Sequence, residues 1–197
     1  MIDDQAASPA AGDPVEIIAE LFASEGLADY LGEDVTQAVH MLQTAAAAER
    51  DQAGDALIAA ALLHDVGHFT GTITGQDLMQ GTDNRHSDQG AAWLARWFGP
   101  EVTEPVRLHV DAKRYLCATE PGYLQLLSTA SVYTLGVQGG PMQGAELAQF
   151  EANPHAADAC RVRRWDDAAK DSSAAVPPFD HFRPVLRRLA RNTSGPR

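Results

Sequence analysis

The sequence has little cysteine, little positive charge and no long apolar run, and each shortage excludes a class of protein. Two cysteines, Cys117 and Cys160, are too few for a disulfide framework, so we expect reduced thiols. Lysine and arginine number 15 against 27 aspartates and glutamates, and the net charge of −12 disfavours nucleic acids and anionic membranes as partners. No stretch approaches the roughly twenty apolar residues of a transmembrane helix. Residues 1–13 lack the basic and apolar regions of a signal peptide, which favours a cytoplasmic protein.

Helical periodicity recurs along the 197 residues, whereas alternating strand patterns are nearly absent. The pattern predicts helices over 14–26, 35–50, 55–64, 87–99, 101–116, 123–136, 154–171 and 179–192. Asp34 followed by Gln37 resembles a capping box at the start of the second of these helices. The fold class predicted from the sequence is therefore all-α.

Segment 67–84 is rich in Gly, Thr and Asp and has no clear period. A loop of that length inside a compact domain is usually functional and is often a lid. The sequence shows no internal repeat and no domain boundary. We expect one domain over 14–192, with a disordered lead over 1–13 and a frayed tail over 193–197.

Residues 60–69, AALLHDVGHF, end an apolar helical run on His64, Asp65 and His68. Unpaired buried polar groups are costly, so this helix end requires a partner for them. A transition metal is such a partner, because imidazole and carboxylate both suit iron, manganese or zinc. Adjacent helical residues diverge by roughly a third of a turn, so His64 and Asp65 fit two neighbouring metals with the carboxylate bridging them.

The remaining candidate ligands are spread along the chain: His40, His86, His109 and Asp166. His40 and Asp166 would complete the first metal, and His86 and His109 the second. Each of these residues alone is more often a hydrogen-bonded structural residue than a ligand. Their order in a helical chain, H…HD…H…H…D, resembles the HD-domain superfamily. In that superfamily four ligands imply one metal, and the two additional histidines imply a binuclear site.

Further polar residues lie three or four positions from a candidate ligand or from each other, and therefore share a helix face with it. They are His68, Lys113, Ser131, Thr134 and Arg163. Together they offer two cations and several donors, enough to hold a phosphonate dianion, although each cation alone is more often a solvated surface charge. Tyr30 and Glu33 precede His40 by ten and seven residues. They suit a displaceable metal ligand and a group that recognises a cation, or else a packed tyrosine and a solvated glutamate.

Six motifs of the chain resemble the PhnZ/TmpB family, the HD-domain mixed-valent di-iron oxygenases that cleave carbon–phosphorus bonds. The motifs are YLGEDVTQAVHMLQ, LLHDVGH, RHSDQGAAWL, HVDAKRYL, LLSTAS-YTLGVQGGP and RRWDDAAK. The resemblance implies an Fe(II)/Fe(III) pair held by the six candidate ligands, with Asp65 bridging and O2 as co-substrate. It also implies that Tyr30 is the displaceable ligand and that Glu33 lies near a substrate ammonium group. The five further polar residues would hold the phosphonate.

The similarity is greatest to the TmpB branch of that family, which implies a zwitterionic small-molecule substrate. The implied reaction is O2-dependent cleavage of (R)-1-hydroxy-2-(trimethylammonio)ethylphosphonate to glycine betaine and phosphate. Two alternatives remain open: the same chemistry on (R)-2-amino-1-hydroxyethylphosphonate, giving glycine, or a binuclear HD phosphohydrolase that needs no O2. A phosphonate-sensing module without turnover would have lost ligands, and none is lost here.

Overall fold

In this computed structural model the described residues are 12–30, 32–70, 81 and 85–191. They form eleven α-helices, which confirms the all-α prediction. The helices are α1 (Pro14–Ser24), α2 (Gln37–Arg50), α3 (Asp55–Leu63), α4 (Gly67–Thr70), α5 (His86–Leu94), α6 (Pro100–Thr119), α7 (Tyr123–Leu126), α8 (Thr129–Val137), α9 (Ala145–Glu151), α10 (Ala156–Ala168) and α11 (Phe179–Leu189). A 3₁₀ turn spans Glu25–Leu27, and the single β-type pairing among the described residues is the isolated bridge between Asp29 and Thr36.

Helix α3 is the centre of the fold. Every residue from Leu57 to Leu63 is buried, so the helix is apolar on all sides and must be surrounded. It packs against α2, α6, α10 and α11. Because α3 is enclosed in this way, its C-terminal end delivers the polar residues that follow it into the interior. Among the described helices none is both long and apolar enough to cross a membrane.

Two helix boundaries differ from the prediction because serine and threonine side chains cap helices. Helix α2 begins at Gln37, and its cap is Thr36, whose hydroxyl accepts a hydrogen bond from Val39 N at 3.3 Å, so the capping box at Asp34 is wrong. The single helix predicted over 123–136 is two helices, α7 and α8. Ser128 separates them and caps α8 by accepting from Ser131 N at 3.1 Å.

Three further segments were either missed by the sequence analysis or lie largely outside the described residues. Helix α9 was not predicted at all. The prediction of a loop over 67–84 is wrong for its first four residues, which form α4. Apart from Gly81, the rest of that segment lies outside the described residues. The tail over 193–197 and all but two residues of the lead over 1–13 also lie outside them. Of those two, Asp13 caps α1 by accepting from Val15 N at 2.9 Å.

Gly67 sets the approach of α4 to α5. A Cβ built at Gly67 would lie 1.9 Å from the carbonyl oxygen of His86 and 3.0 Å from Gly90 N, far inside van der Waals contact. Only glycine therefore lets the first residue of α4 touch the first turn of α5. This contact fixes the position of His86, which begins α5, relative to Asp65.

Candidate metal centre and ligand pocket

Five parts of the chain converge on one buried cluster of imidazole and carboxylate groups. Its six residues are His40 in α2, His64 and Asp65 directly after α3, His86 at the start of α5, His109 in α6 and Asp166 in α10. None of them is more than 5% exposed. The structure thus brings together all six residues that the sequence indicated as metal ligands.

Four of the histidines form two facing pairs, and one carboxylate lies between the pairs. His40 Nε2 is 3.1 Å from His64 Nε2, and His86 Nε2 is 3.2 Å from His109 Nε2. Asp65 Oδ2 lies 3.4 Å from His64 Nε2. Asp65 Oδ1 lies 3.4 Å from the Nε2 atoms of both His86 and His109. Each oxygen of Asp65 therefore faces one histidine pair, which is the arrangement of a bridging ligand.

Backbone carbonyls orient three of these imidazoles through Nδ1. His40 donates to Ala169 O at 2.9 Å, His64 to Ala61 O at 2.9 Å and His109 to Val106 O at 2.7 Å. Each bond places the ring hydrogen on Nδ1 and leaves a lone pair on Nε2, the usual state of a metal-bound histidine. The lone pairs of His40 and His64 then point at each other, so a proton or a metal cation must lie between them.

The charges of the cluster favour a cation at this position. Burial alone would lower the pKa of His64, but the carboxylates of Asp65 and Asp166 outweigh it and raise that pKa to about 9. Burial would raise the pKa of Asp65, but the neighbouring His64, His109 and His86 hold it well below its usual range. A metal ion entering the first pair meets the same negative potential as the proton. It would displace that proton, because histidine binds metals in its neutral form.

Asp166 offers a further oxygen atom to the cluster. Its Oδ1 is buried, lies 3.3 Å from His40 Nε2, and has no hydrogen-bond donor among the residues that the structure describes. Its Oδ2 accepts from Arg163 Nη1 at 2.7 Å. Arg163 opposes the effect of burial and holds the pKa of Asp166 well below its usual range. A buried carboxylate oxygen without a donor is costly, and a metal ion would satisfy it. The residues therefore fit two metal ions.

His68 also lies close to Asp65 and His86, so it is an alternative to His109 as a ligand of the second proposed metal. A donor atom from each of Asp65, His68 and His86 lies within 4.8 Å of the other two. However, His68 Nε2 is 4.0 Å from Asp65 Oδ1, whereas His109 Nε2 is 3.4 Å from it. Burial, followed by the neighbouring His86, lowers the pKa of His68 to about 3, so its ring is neutral. The distances favour His109 as the ligand and leave His68 beside the centre.

A pocket opens onto the metal centre, and its empty volume, including the mouth, is about 470 Å³. The lining residues are Tyr30, Glu33, Asp65, His68, His86, His109, Val110, Lys113, Ala130, Ser131, Thr134, Gln138, Arg163, Asp166 and Lys170. Eleven of the thirteen site residues indicated by the sequence are among them. The other two, His40 and His64, are fully buried.

One side of the pocket is a buried cationic wall made of Lys113 and Arg163. Lys113 is 2% exposed and donates to Thr134 Oγ1 at 3.0 Å. Burial and then the charge of Arg163 lower the pKa of Lys113 to about 7. Arg163 pairs with Asp166 and Asp167, yet its buried Nε has no acceptor among the described residues. An anionic ligand oxygen would supply that acceptor.

Tyr30 and Glu33 also line the pocket. The ring of Tyr30 stacks on that of His40, with centroids 4.0 Å apart. Burial, followed by the charges of Asp65 and Asp166, raises the pKa of Tyr30 well above its usual value. A phenolate at this position therefore needs a cation beside it. Glu33 accepts a hydrogen bond from Ser128 Oγ through Oε1.

Sequence reasoning missed Lys170 and Asp167. Lys170 Nζ lies 3.2 Å from Glu33 Oε1, and Asp167 accepts from both Arg163 and the hydroxyl of Tyr123. Lys170 follows Asp166 by four residues, the same spacing that indicated Lys113 after His109. The signal for Lys170 was therefore present. Asp167 carried no comparable signal, because the residue next to a ligand normally points elsewhere.

Comparison with known proteins gives a consistent result. The HD domain model matches residues 17–136. The chain is 44% identical over 185 residues to the glycine-betaine-forming 1-hydroxy-2-(trimethylamino)ethylphosphonate dioxygenase of Leisingera caerulea, covering 93% of this chain and 94% of the relative. It is 43% identical over 172 residues to the hydroxymethylphosphonate dioxygenase of Gimesia maris, covering 87% and 85%. It is 32% identical over 175 residues to an uncharacterized protein of Acanthamoeba polyphaga mimivirus, covering 87% and 80%. The chain belongs to the HD-domain family.

Proposed function

We propose that this protein is an oxygenase that uses O2 to cleave the carbon–phosphorus bond of (R)-1-hydroxy-2-(trimethylammonio)ethylphosphonate, giving glycine betaine and phosphate. The observation that carries the proposal is the position of Asp65 between two histidine pairs, beside a pocket with a buried cationic wall. Two relatives that match most of the chain, at 44% and 43% identity, are phosphonate dioxygenases.

Two iron ions, Fe(II) and Fe(III), are the metals of this proposal. His40, His64, Asp65 and Asp166 would hold one ion, and Asp65, His86 and His109 the other. Neutral imidazole and carboxylate are ligands that suit iron. When bound, the irons would supply the redox chemistry with O2 that oxidises C1 of the substrate, so that the phosphorus leaves as phosphate.

The protein's own residues would hold the phosphonate end of the substrate. Lys113 and Arg163 supply two positive charges, and Ser131 and Thr134 supply hydroxyl groups from α8. His68 is neutral and can donate or accept a single hydrogen bond without adding charge. Charge-assisted hydrogen bonds to a dianion are stronger than neutral ones, so this wall fixes the phosphonate beside the metal centre.

Tyr30 and Glu33 would act at the other end of the substrate. Tyr30 is the proposed displaceable ligand: its phenol covers the centre until substrate takes its place. Glu33 would supply negative charge for the trimethylammonium group, which has no N–H to donate and can be attracted by a carboxylate without a hydrogen bond. Both residues line the pocket, and Tyr30 stacks on the proposed ligand His40.

Hydroxymethylphosphonate is a second candidate substrate, because a relative at 43% identity is named for it. It has a phosphonate and a hydroxyl group but no ammonium group, so Glu33 would have no substrate partner. The carboxylate of Glu33 in the pocket therefore favours the zwitterion.

The test is phosphorus NMR of the iron-loaded protein with each substrate, under O2 and under argon. We expect phosphate from the trimethylammonium substrate under O2 only, together with glycine betaine, and a lower kcat/KM for hydroxymethylphosphonate. A zinc-loaded sample is the control and should be inactive. Phosphate release under argon, or full activity with zinc, would instead establish a hydrolase.

A further inference from the structure

The ammonium group of Lys170 lines the pocket beside Glu33. Its Nζ is 3.2 Å from Glu33 Oε1 and donates to Ser131 Oγ at 2.9 Å and to Ser128 Oγ at 3.3 Å. It also lies 5.9 Å from the ring centroid of Tyr30. The side chains of Lys170 and Glu33 are only 11% and 14% exposed. Their ion pair is therefore screened by water much less than a surface pair.

Glu33 is consequently paired within the chain. Its Oε1 accepts from Ser128 and faces Lys170, so a ligand cation that approaches Glu33 also approaches the like charge of Lys170. Such a juxtaposition of like charges is unfavourable. A cationic group can use Glu33 fully only when Lys170 moves away from it.

The hydrogen bond from Lys170 to Ser131 indicates the direction in which the ammonium group can move. Ser131 lies on α8 one turn before Thr134, which accepts from Lys113 of the cationic wall. A small movement of Lys170 Nζ along Ser131 brings it toward that wall. A phosphonate bound there would offer Lys170 a new anionic partner.

We propose that Lys170 makes the protein selective for zwitterionic phosphonates by exchanging its ion-pair partner. The inference rests on the proposed function. Without ligand, Lys170 neutralises Glu33; when the ligand's ammonium group occupies Glu33, Lys170 turns toward Ser131 and pairs with the phosphonate. One internal ion pair is replaced by two pairs between protein and ligand. A phosphonate without a cation cannot release Lys170, because the half-buried carboxylate of Glu33 would be left without a positively charged partner.

Calorimetric titration of the iron-loaded protein without O2 tests this exchange with two probes. They are 1-hydroxy-2-(trimethylammonio)ethylphosphonate and hydroxymethylphosphonate, which lacks the ammonium group. Lys170→Gln should weaken binding of the zwitterion about tenfold or more, the usual effect of losing a hydrogen bond to a charged group, and should weaken hydroxymethylphosphonate much less. Arg164→Gln is the matched control: it removes an exposed positive charge of α10 and should change neither affinity.

The decisive comparison is Glu33→Gln in two backgrounds. Glu33→Gln frees Lys170 for the phosphonate, so it should strengthen binding of hydroxymethylphosphonate while weakening that of the zwitterion. In the Lys170→Gln background the gain for hydroxymethylphosphonate should largely disappear. If Glu33→Gln acted only by removing a negative charge, its gain in affinity for hydroxymethylphosphonate would be at least as large in the Lys170→Gln background. The sign of the coupling between the two substitutions therefore separates partner exchange from a simple charge effect.

Three results would overturn the exchange. They are an equal gain in both backgrounds, an equal loss of both probes in Lys170→Gln, and an unchanged affinity of Lys170→Gln for the zwitterion. Circular dichroism of each variant establishes that it is folded. Turnover of the same wild-type sample under O2 tests the proposed function separately, because binding and exchange can be measured whether or not phosphate is released.

Discussion

Lys113 is buried beside a second positive charge, and both features disfavour its protonated form. Burial and the charge of Arg163 lower its pKa to about 7, so the amine loses its proton as the pH rises through neutrality. Only the protonated amine can pair with a phosphonate. At the scale of single residues, we therefore expect Lys113 to contribute to the pH dependence of ligand affinity.

Phosphonate affinity should fall as the pH rises from about 6 to about 9, because Lys113 becomes neutral over that range. Lys113→Met should bind at least about tenfold more weakly at the lower pH and should show a much flatter pH profile, with unchanged metal content. Calorimetric titration across the pH range measures both. Lys113 is a cleaner test than Arg163, which also donates to Asp166. An equally steep profile in Lys113→Met would contradict the assignment.

Tyr30 is predicted to cap an Fe(III) ion as a phenolate. Burial and two carboxylates oppose its ionisation, so the charge-transfer absorption of a phenolate–iron bond should appear only after iron is loaded and should fade when substrate is added. Tyr30→Phe should lack the band but keep its iron through the histidine and aspartate ligands. A visible spectrum that Tyr30→Phe leaves unchanged would mean that Tyr30 is a packing residue.

Residues on helices were the predictable part of the site. Lys113 follows His109 within α6, and Arg163 precedes Asp166 within α10, so helical geometry alone places each pair on one face. Lys170 lies just after the end of α10, so its spacing of four from Asp166 indicated the residue but not its partner. Its pairing with Glu33 depends on how distant segments pack, which spacing cannot predict.

At the scale of the helices, the contact between α4 and α5 holds the two proposed metal positions together. Asp65 lies just before α4 and His86 begins α5, while Gly67 touches the His86 carbonyl with no room for a Cβ. Any side chain at position 67 must push the two helices apart. The second metal position would then lose the geometry that Asp65 and His86 share.

Gly67→Ala should therefore lower metal content toward one ion per chain and destabilise the fold by about 1–3 kcal/mol, the usual cost of overpacking. Gly136→Ala is the matched control: it lies within α8, its Cβ meets nothing within 4 Å, and it should stabilise by about 0.5–1 kcal/mol. Metal analysis and thermal unfolding measure both. Two ions per chain in Gly67→Ala would show that the close contact does not position His86.

Helix ends were less predictable than helix centres, for a reason that Ser128 illustrates. Its hydroxyl competes with the backbone for hydrogen bonds, so it ends one helix and caps the next inside a continuous apolar pattern. Periodicity alone reads α7 and α8 as one helix. The break matters for function, because it lets Ser128 reach both Glu33 and Lys170.

At the scale of the whole molecule, the site exists because α3 is enclosed by helices that come from distant parts of the sequence. Three of the four helices that surround α3 contribute candidate ligands: α2 gives His40, α6 gives His109 and α10 gives Asp166. The sequence predicted this ligand set from its order. It also predicted that Asp65 lies between the two pairs of histidines, but not the distances between the imidazoles or their orienting backbone carbonyls, because these depend on tertiary packing.

The central claim is that Asp65 bridges two irons beside a substrate pocket, and electron paramagnetic resonance of the iron-loaded protein with quantified iron tests it most directly. We predict about two irons per chain and the signal of a coupled Fe(II)/Fe(III) pair, which changes when 1-hydroxy-2-(trimethylammonio)ethylphosphonate is added without O2. Asp65→Asn should lose the coupled signal. One iron per chain, or isolated Fe(III) that ignores the substrate, would contradict the account.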